Sequence, residues 1–174
     1  MCSEILRCLP DISAGRGTCR RREGAVEPLL NGMCHIERGA TMFLHYLVSV
    51  VLIMHGLAHM SGAMAAFTAR DVGFLDKPWL FSTGVTLRSP IGKLFGLMWL
   101  AAAVTLVSSG LSLLFHWGGW PALPIAGSIL SLLAIVPWWN TVVPGAKAGA
   151  AFDGLMLIGL GAPWSEQVMA ALGV

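Results

Sequence analysis

Two histidines four residues apart, His55 and His59 in the segment HGLAHMSG, have the residue type and spacing for chemistry. Four residues make just over one helical turn, so both imidazoles lie on one helix face, about 6 Å apart along the axis. Such a pair can ligate a metal ion if other helices complete the ligand set, or it can handle protons or contact a polar substrate. No Glu follows His55, so the zinc-protease pattern HExxH is not present. The structural alternative is that both imidazoles are hydrogen-bonded to neighbouring helices.

Asp153 is the second candidate, a single carboxylate within an apolar, glycine-rich segment. It lies near the middle of that segment, as His55 lies near the middle of its own, so their depths match whichever way the helices run. A lone carboxylate in hydrocarbon costs about 2.5–3.5 kcal/mol on insertion scales, and a hydrogen bond from His55 would reduce that cost. We therefore predict an intramembrane polar site formed by His55, His59 and Asp153. The alternative is a structural polar contact of Asp153 in a shortened helix.

A second candidate polar site pairs His45 with His116. These residues stand at the start of one apolar segment and the end of the next, which meet at one membrane face if the two helices are antiparallel. Two histidines from different helices are also what bis-imidazole haem ligation needs. An interfacial histidine without a cofactor is the alternative. We predict no cofactor, with a metal ion at His55 and His59 or haem at His45 and His116 left as alternatives.

The segments that must position these side chains are strongly apolar. The chain has 174 residues, of which 56% are hydrophobic and 11% charged, whereas an ordinary soluble domain carries about 25% charged residues. Residues 43–67 carry no charged side chain, and neither do the 53 residues between Lys93 and Lys147. A helix over 43–67 would be about 37 Å long, which exceeds the ~30 Å core of a bilayer. The composition indicates an integral membrane protein, and a net charge of +2 gives no support for a nucleic-acid partner.

These patterns predict an all-α fold, a four-helix transmembrane bundle, with spans at about 43–67, 92–115, 122–139 and 141–160. The membrane domain would cover 42–164, and 165–174 would be a short C-terminal remnant. Residues 1–41 hold six of the eleven Lys and Arg residues. We predict a disordered tail there, with Met42 as an alternative start site. Without the tail, the remaining basic residues favour a cytoplasmic location for the first connector.

The segments HGLAHMSG and KPWLFSTGVTLRSPIGKLFGLMWLAAA, together with a final span of small residues, resemble a group of small prokaryotic integral membrane proteins. That group is uncharacterised, has four helices and carries an HGxxHxxG signature in its first span. The resemblance covers roughly residues 42–160 and implies four helices and a short N-terminus, but no activity. A looser likeness is to the DoxX-like four-helix proteins, which are linked to redox stress.

Taken together, we expect a small polytopic protein of the prokaryotic cytoplasmic (inner) membrane. Its polar site would serve proton- or small-ligand-linked transport or redox support, and nothing in the sequence indicates an enzyme. The alternative is a structural or accessory subunit of a larger membrane complex, with the histidines as interhelical hydrogen-bonding groups. The lipid bilayer is the expected partner, with a homo-oligomer or a larger complex left open. The two hypotheses differ in whether His55 and Asp153 face each other inside the bundle or point at separate surfaces.

Overall fold

The computed structural model describes residues 27–68, 73, 78, 84–139 and 144–173, with side chains from Arg38 onward. All regular elements of these residues are helices. In chain order they are α1 (Glu27–Ala58), α2 (Met60–Phe67), α3 (Pro90–Leu114), α4 (Ala122–Ile135) with a 3₁₀ turn (Val136–Trp138), α5 (Pro144–Gly161) and α6 (Ser165–Leu172). The chain divides into two units, 1–42 and 43–174. The sites discussed below belong to the second unit.

Helix α1 begins at Glu27, so it includes residues 27–41 of the segment predicted to be a tail. The sequence permits this because Pro28 stands in the first turn, where its missing N–H costs no hydrogen bond. Apolar residues also recur along residues 27–41, and the few charged residues there do not form a long run. Residues 1–26 of the predicted tail lie outside the described residues.

The predicted first span is one helical stretch with a local change of hydrogen bonding at His59. The backbone N–H of His59 donates to the carbonyl of Gly56 at 3.1 Å, and the N–H of Gly62 donates to the carbonyl of His59 at 3.1 Å. These three-residue steps are 3₁₀ bonds inside an otherwise α-helical stretch. Helix α2 then continues to Phe67, the residue at which the first span is predicted to end.

Helix α3 has defined start and stop signals. Ser89 is its N-cap and accepts a hydrogen bond from the backbone N–H of Gly92 at 3.2 Å, and Pro90 fits the first turn because its N–H is not needed there. At the other end His116 adopts the left-handed conformation with φ 53°. The N–H of Trp117 then donates to the carbonyl of Ser112 at 2.8 Å, as in a Schellman motif.

The last three helices are shorter. Helix α4 gives way to the 3₁₀ turn that contains Pro137, and α5 begins at Pro144. Residues 140–143 of the predicted third and fourth spans lie outside the described residues. Helix α6 follows α5 after a bend of 105°, so part of the predicted C-terminal remnant is helical.

Helices that follow one another in the chain pack together: α2 against α3, α3 against α4, α4 against α5, and α5 against α6. Glycine allows the closest approaches. A Cβ added at Gly56 would lie 2.9 Å from Val107, and one added at Gly110 would lie 2.6 Å from Ile53. Buried tryptophans fill the centre, where the rings of Trp99 and Trp138 are 6.2 Å apart.

Two helical stretches, Arg38–Phe67 and Pro90–Leu114, are long and apolar enough to cross a membrane. A third results if the bent pair α5 and α6 is counted as one span, and the stretch Ala122–Trp138 is apolar but shorter. The described residues therefore give a helical protein with two or three helices that could span a membrane.

Candidate functional site

The structure brings together the three residues of the predicted intramembrane site. His55 lies on α1, His59 between α1 and α2, and Asp153 on α5. One possible ligand atom from each lies within 4.8 Å of the other two. His55 Nε2 is 3.0 Å from Asp153 Oδ1, and the two imidazole centroids are 4.9 Å apart. We call these three residues the His/Asp cluster.

Asp153 is the most buried residue of the cluster, since its side chain is fully buried. Oδ1 accepts a hydrogen bond from His55, and Oδ2 accepts one from the hydroxyl of Ser131 on α4. Among the described residues, no Lys or Arg pairs with this carboxylate; the nearby ammonium of Lys147 lies 5.6 Å from the centroid of the Trp139 ring instead. The carboxylate is therefore held by an imidazole and a hydroxyl from two other helices.

His59 is the third residue of the cluster, and its hydrogen bonding is incomplete. Its side chain is only 6% exposed, yet Nε2 is buried and has no hydrogen-bond partner among the residues that the structure describes. A buried polar atom left without a partner costs about 1–3 kcal/mol. Such atoms are rare in folded proteins and are frequently found where a ligand, ion or water binds.

A cavity of about 200 Å³ lies beside the cluster. Its lining combines the two imidazoles with small residues and two large apolar side chains: His55, Ala58, His59, Ser61, Gly62, Trp99, Ile135, Gly145, Ala146 and Gly149. The lining reaches Gly62 on α2 and Gly145 at the start of α5. The cavity therefore extends from the cluster toward the end of the helices where α2 finishes and α5 starts.

Gly149 provides the space for the imidazole of His55. A Cβ added at Gly149 would lie 2.6 Å from His55 Cε1, whereas one added at Gly154 would meet nothing within 4 Å. Both glycines lie on α5, within the glycine-rich segment of the sequence. At Gly149 the side chain that comes close is that of His55, a candidate site residue.

The second predicted pair also meets, and we call His45 and His116 the outer histidine pair. Their rings are stacked, with centroids 4.7 Å apart and planes at 26°. His45 is 6% exposed, its Nδ1–H donates to the carbonyl of Leu172 at 2.9 Å, and its Nε2 has no partner. Rings stacked face to face differ from the end-on approach of two axial ligands to a haem iron.

Sequence reasoning missed Ser131 and the carbonyl of Leu172. Ser131 stands in an apolar segment with Ser128 one turn before it, a pattern that indicates a helix face turned inward. Serines in such helices commonly bond their own backbone, as Ser49 does with the carbonyl of His45 at 2.8 Å. A backbone carbonyl, as at Leu172, leaves no signal in the sequence at all.

Comparison of the chain with protein-family models, curated proteins and solved structures gives no match to any of the three. The function must therefore be argued from the geometry of the cluster.

Proposed function

We propose that the chain is a four-helix transmembrane bundle, made of α1 with α2, α3, α4 and α5, in the prokaryotic cytoplasmic membrane. Large apolar side chains on the outer helix faces support this. On α1 the side chains of Val50, Met54 and Leu57 are 53%, 61% and 51% exposed, at the three- and four-residue spacing of one helix face. Leu155 and Ile158 on α5 are 68% and 59% exposed. Apolar faces of this kind would be covered by lipid.

Within that bundle, we propose that the His/Asp cluster binds a small polar or cationic ligand, in service of transport or redox support across the membrane. The observation that carries this proposal is the buried, unpartnered Nε2 of His59 on a residue that lines a cavity. His55 also lines this cavity, and it is hydrogen-bonded to Asp153. Ionisable residues placed inside a membrane are expensive and are a functional-site hypothesis by default.

The second candidate function is a structural or accessory subunit of a larger membrane complex. It is favoured by the chain of contacts His55–Asp153–Ser131, which joins α1, α5 and α4. Under this hypothesis the polar residues hold helices together and no ligand binds. His59 separates the two hypotheses, because its Nε2 makes no hydrogen bond among the described residues and therefore does not strengthen such a network.

The test compares His59→Leu with His55→Leu in the full chain, purified in detergent. A ligand-binding role predicts that His59→Leu leaves the free energy of unfolding unchanged or raises it by about 1 kcal/mol, because an unpaired buried nitrogen is removed. His55→Leu should lower it, because Asp153 loses its imidazole partner. Reversible unfolding followed by circular dichroism measures both. If His59→Leu destabilises the protein as much as His55→Leu does, the structural function is favoured.

The membrane location has a separate test. Membranes from cells that express the chain are washed with alkaline carbonate, which releases peripheral proteins. Retention of the chain in the membrane pellet supports a spanning bundle, and release into the supernatant contradicts it.

A further inference from the structure

We infer that the His/Asp cluster binds a divalent transition-metal ion, Zn²⁺ or a neighbour such as Co²⁺. The ligands would be one imidazole nitrogen each from His55 and His59 and Oδ1 of Asp153. This inference rests on the proposed function, since it names the chemical class of the ligand at the same site.

The separations of the donor atoms fit a metal ion. Zinc–nitrogen bonds of about 2.0–2.1 Å and zinc–oxygen bonds of about 2.0–2.2 Å place tetrahedral ligand atoms roughly 3.4 Å apart. His55 Nε2 and Asp153 Oδ1 are already 3.0 Å apart, and no pair in the cluster is more than 4.8 Å apart. Side-chain rotations of His59 and His55 can close the remaining gap, because the cavity beside them leaves room for movement.

The donor set selects a class of metal. Two imidazoles and one carboxylate are the three protein ligands of open zinc sites, which keep the fourth position for water or substrate. Mg²⁺ and Ca²⁺ prefer ligand sets made entirely of oxygen. Cu(I) prefers thiolate or thioether sulfur, and the residues that line the cavity include neither Cys nor Met. The set therefore favours a borderline divalent ion such as Zn²⁺ or Co²⁺.

Charge and hydrogen bonding also fit. A divalent ion would neutralise the carboxylate of Asp153, which is fully buried and has no Lys or Arg partner among the described residues. His55 Nε2–H now donates to Oδ1, so ligation through Nε2 moves that proton to Nδ1 and frees the Nε2 lone pair, with no net change in protons. Ser131 stays bonded to Oδ2 and orients the carboxylate, as hydrogen-bonding partners of metal ligands commonly do.

The experiment is a titration of the full chain with Zn²⁺ by isothermal calorimetry, after treatment with EDTA and without a polyhistidine tag. The thiols are removed by Cys2→Ser, Cys8→Ser, Cys19→Ser and Cys34→Ser, so that they cannot contribute ligands. We expect one Zn²⁺ per chain. His59→Gln and Asp153→Asn should each weaken binding by about 100-fold or more, and Ser131→Ala by about 10-fold to 100-fold.

His45→Gln is the matched control, because His45 is as buried as His59, at 6% exposure, but lies outside the cluster. It should leave Zn²⁺ binding unchanged. Co²⁺ gives a second readout, since visible absorption bands of tetrahedral nitrogen and oxygen ligation should appear in the wild type and be lost in His59→Gln.

Two results overturn the inference: no Zn²⁺ binding by the cysteine-free parent chain, or equal binding by that parent and by its His59→Gln and Asp153→Asn variants. The stability of His59→Leu then shows what else fails. If that variant is at least as stable as the wild type, the proposed ligand site stands with a ligand other than a metal ion. If it unfolds more easily, the proposed function fails together with the metal site.

Discussion

The His/Asp cluster and the outer histidine pair begin from the same kind of residue and differ in what surrounds it. His59 and His45 are equally buried, at 6% exposure, and in each the Nε2 atom has no hydrogen-bond partner within the described part of the chain. His59 stands beside a second imidazole, a buried carboxylate and a cavity. His45 stands against an exposed ring and the carbonyl at the end of α6. Residue type and burial are the same, and the neighbours decide which site can bind a ligand.

The two sites also differ in the hydrogen bond that His45 makes in one and His55 makes in the other. In the outer pair, Nδ1–H of His45 fixes the ring on Leu172, which ties the start of the first apolar segment to the last helix. In the cluster, the first hydrogen bond joins His55 to a carboxylate. A hydrogen bond to a backbone carbonyl is a structural contact. A hydrogen bond to a carboxylate places the imidazole beside a negative charge that can also bind a cation.

The largest expected effect is a difference between the two sites in how much a substitution lowers the free energy of unfolding. His55→Leu should lower the free energy of unfolding by about 3–5 kcal/mol, because it leaves the buried carboxylate of Asp153 without its imidazole partner. The double variant His55→Leu with Asp153→Leu should recover most of that loss, because no charge remains to be buried. His45→Leu is the comparison and should cost less, about 1–3 kcal/mol, the worth of one hydrogen bond and one stacked ring pair. Denaturant titrations of five proteins give these values: the wild type, the double variant and the single variants His55→Leu, Asp153→Leu and His45→Leu.

Two outcomes would contradict this picture of the cluster. A double variant as unstable as the sum of its two single variants would show that His55 and Asp153 do not interact. A loss at His45→Leu as large as that at His55→Leu would remove the energetic distinction between the two sites.

The next effect tests the space around His55. Gly149→Ala places a methyl group 2.6 Å from the position of His55 Cε1, so the imidazole must move, and overpacking of this kind costs about 1–3 kcal/mol. Gly154→Ala is the matched control on the same helix, where nothing lies within 4 Å; it should be neutral or stabilising by about 1 kcal/mol, because Ala favours helix. Thermal unfolding followed by circular dichroism compares the two. Equal effects at both glycines would mean that His55 does not need the space at Gly149.

Much of the cluster follows from helical periodicity. The spacing of His55 and His59 predicts a shared face, and the matched depths of His55 and Asp153 predict their meeting. The structure brings all three together. Ser131 was not predictable, because a serine in an apolar helix gives no sign of whether it bonds its own backbone or a distant carboxylate. The choice among a proton, a metal ion and a polar molecule also stays a proposal, since the same residues suit each of them.

In the fold as well, features set by the local sequence pattern were predictable, and features set by the rest of the chain were missed. Apolar runs and proline positions predict helices close to α3, α4 and α5, because a long uncharged run has few alternatives to a helix. The start of α1 at Glu27 was missed, because the charges on both sides of that segment favour a disordered tail. The contact of His45 with the carbonyl of Leu172 was missed because it depends on the 105° bend between α5 and α6.

The smallest expected effect lies in the outer pair, at His116. This residue adopts φ 53°, a conformation that costs a non-glycine residue roughly 1–2 kcal/mol, and its ring stacks on His45. His116→Gly relieves the backbone cost but loses the stacking, which is worth about 0.5–1.5 kcal/mol for an aromatic pair. In the wild type the two changes should nearly cancel, so the free energy of unfolding should shift by less than about 1 kcal/mol.

In the His45→Leu background there is no ring to stack on, and only the relief of the backbone remains. His116→Gly should therefore be more stabilising there than in the wild type, by about 0.5–1 kcal/mol. Denaturant unfolding of the four proteins gives this difference directly as a coupling energy. A coupling near zero would mean that the stacked rings contribute nothing, and the left-handed turn at His116 would then serve only to end α3. A clear coupling would make the outer pair a stabilising contact between α1 and the end of α3, in contrast to a cluster whose His59 contributes no stability.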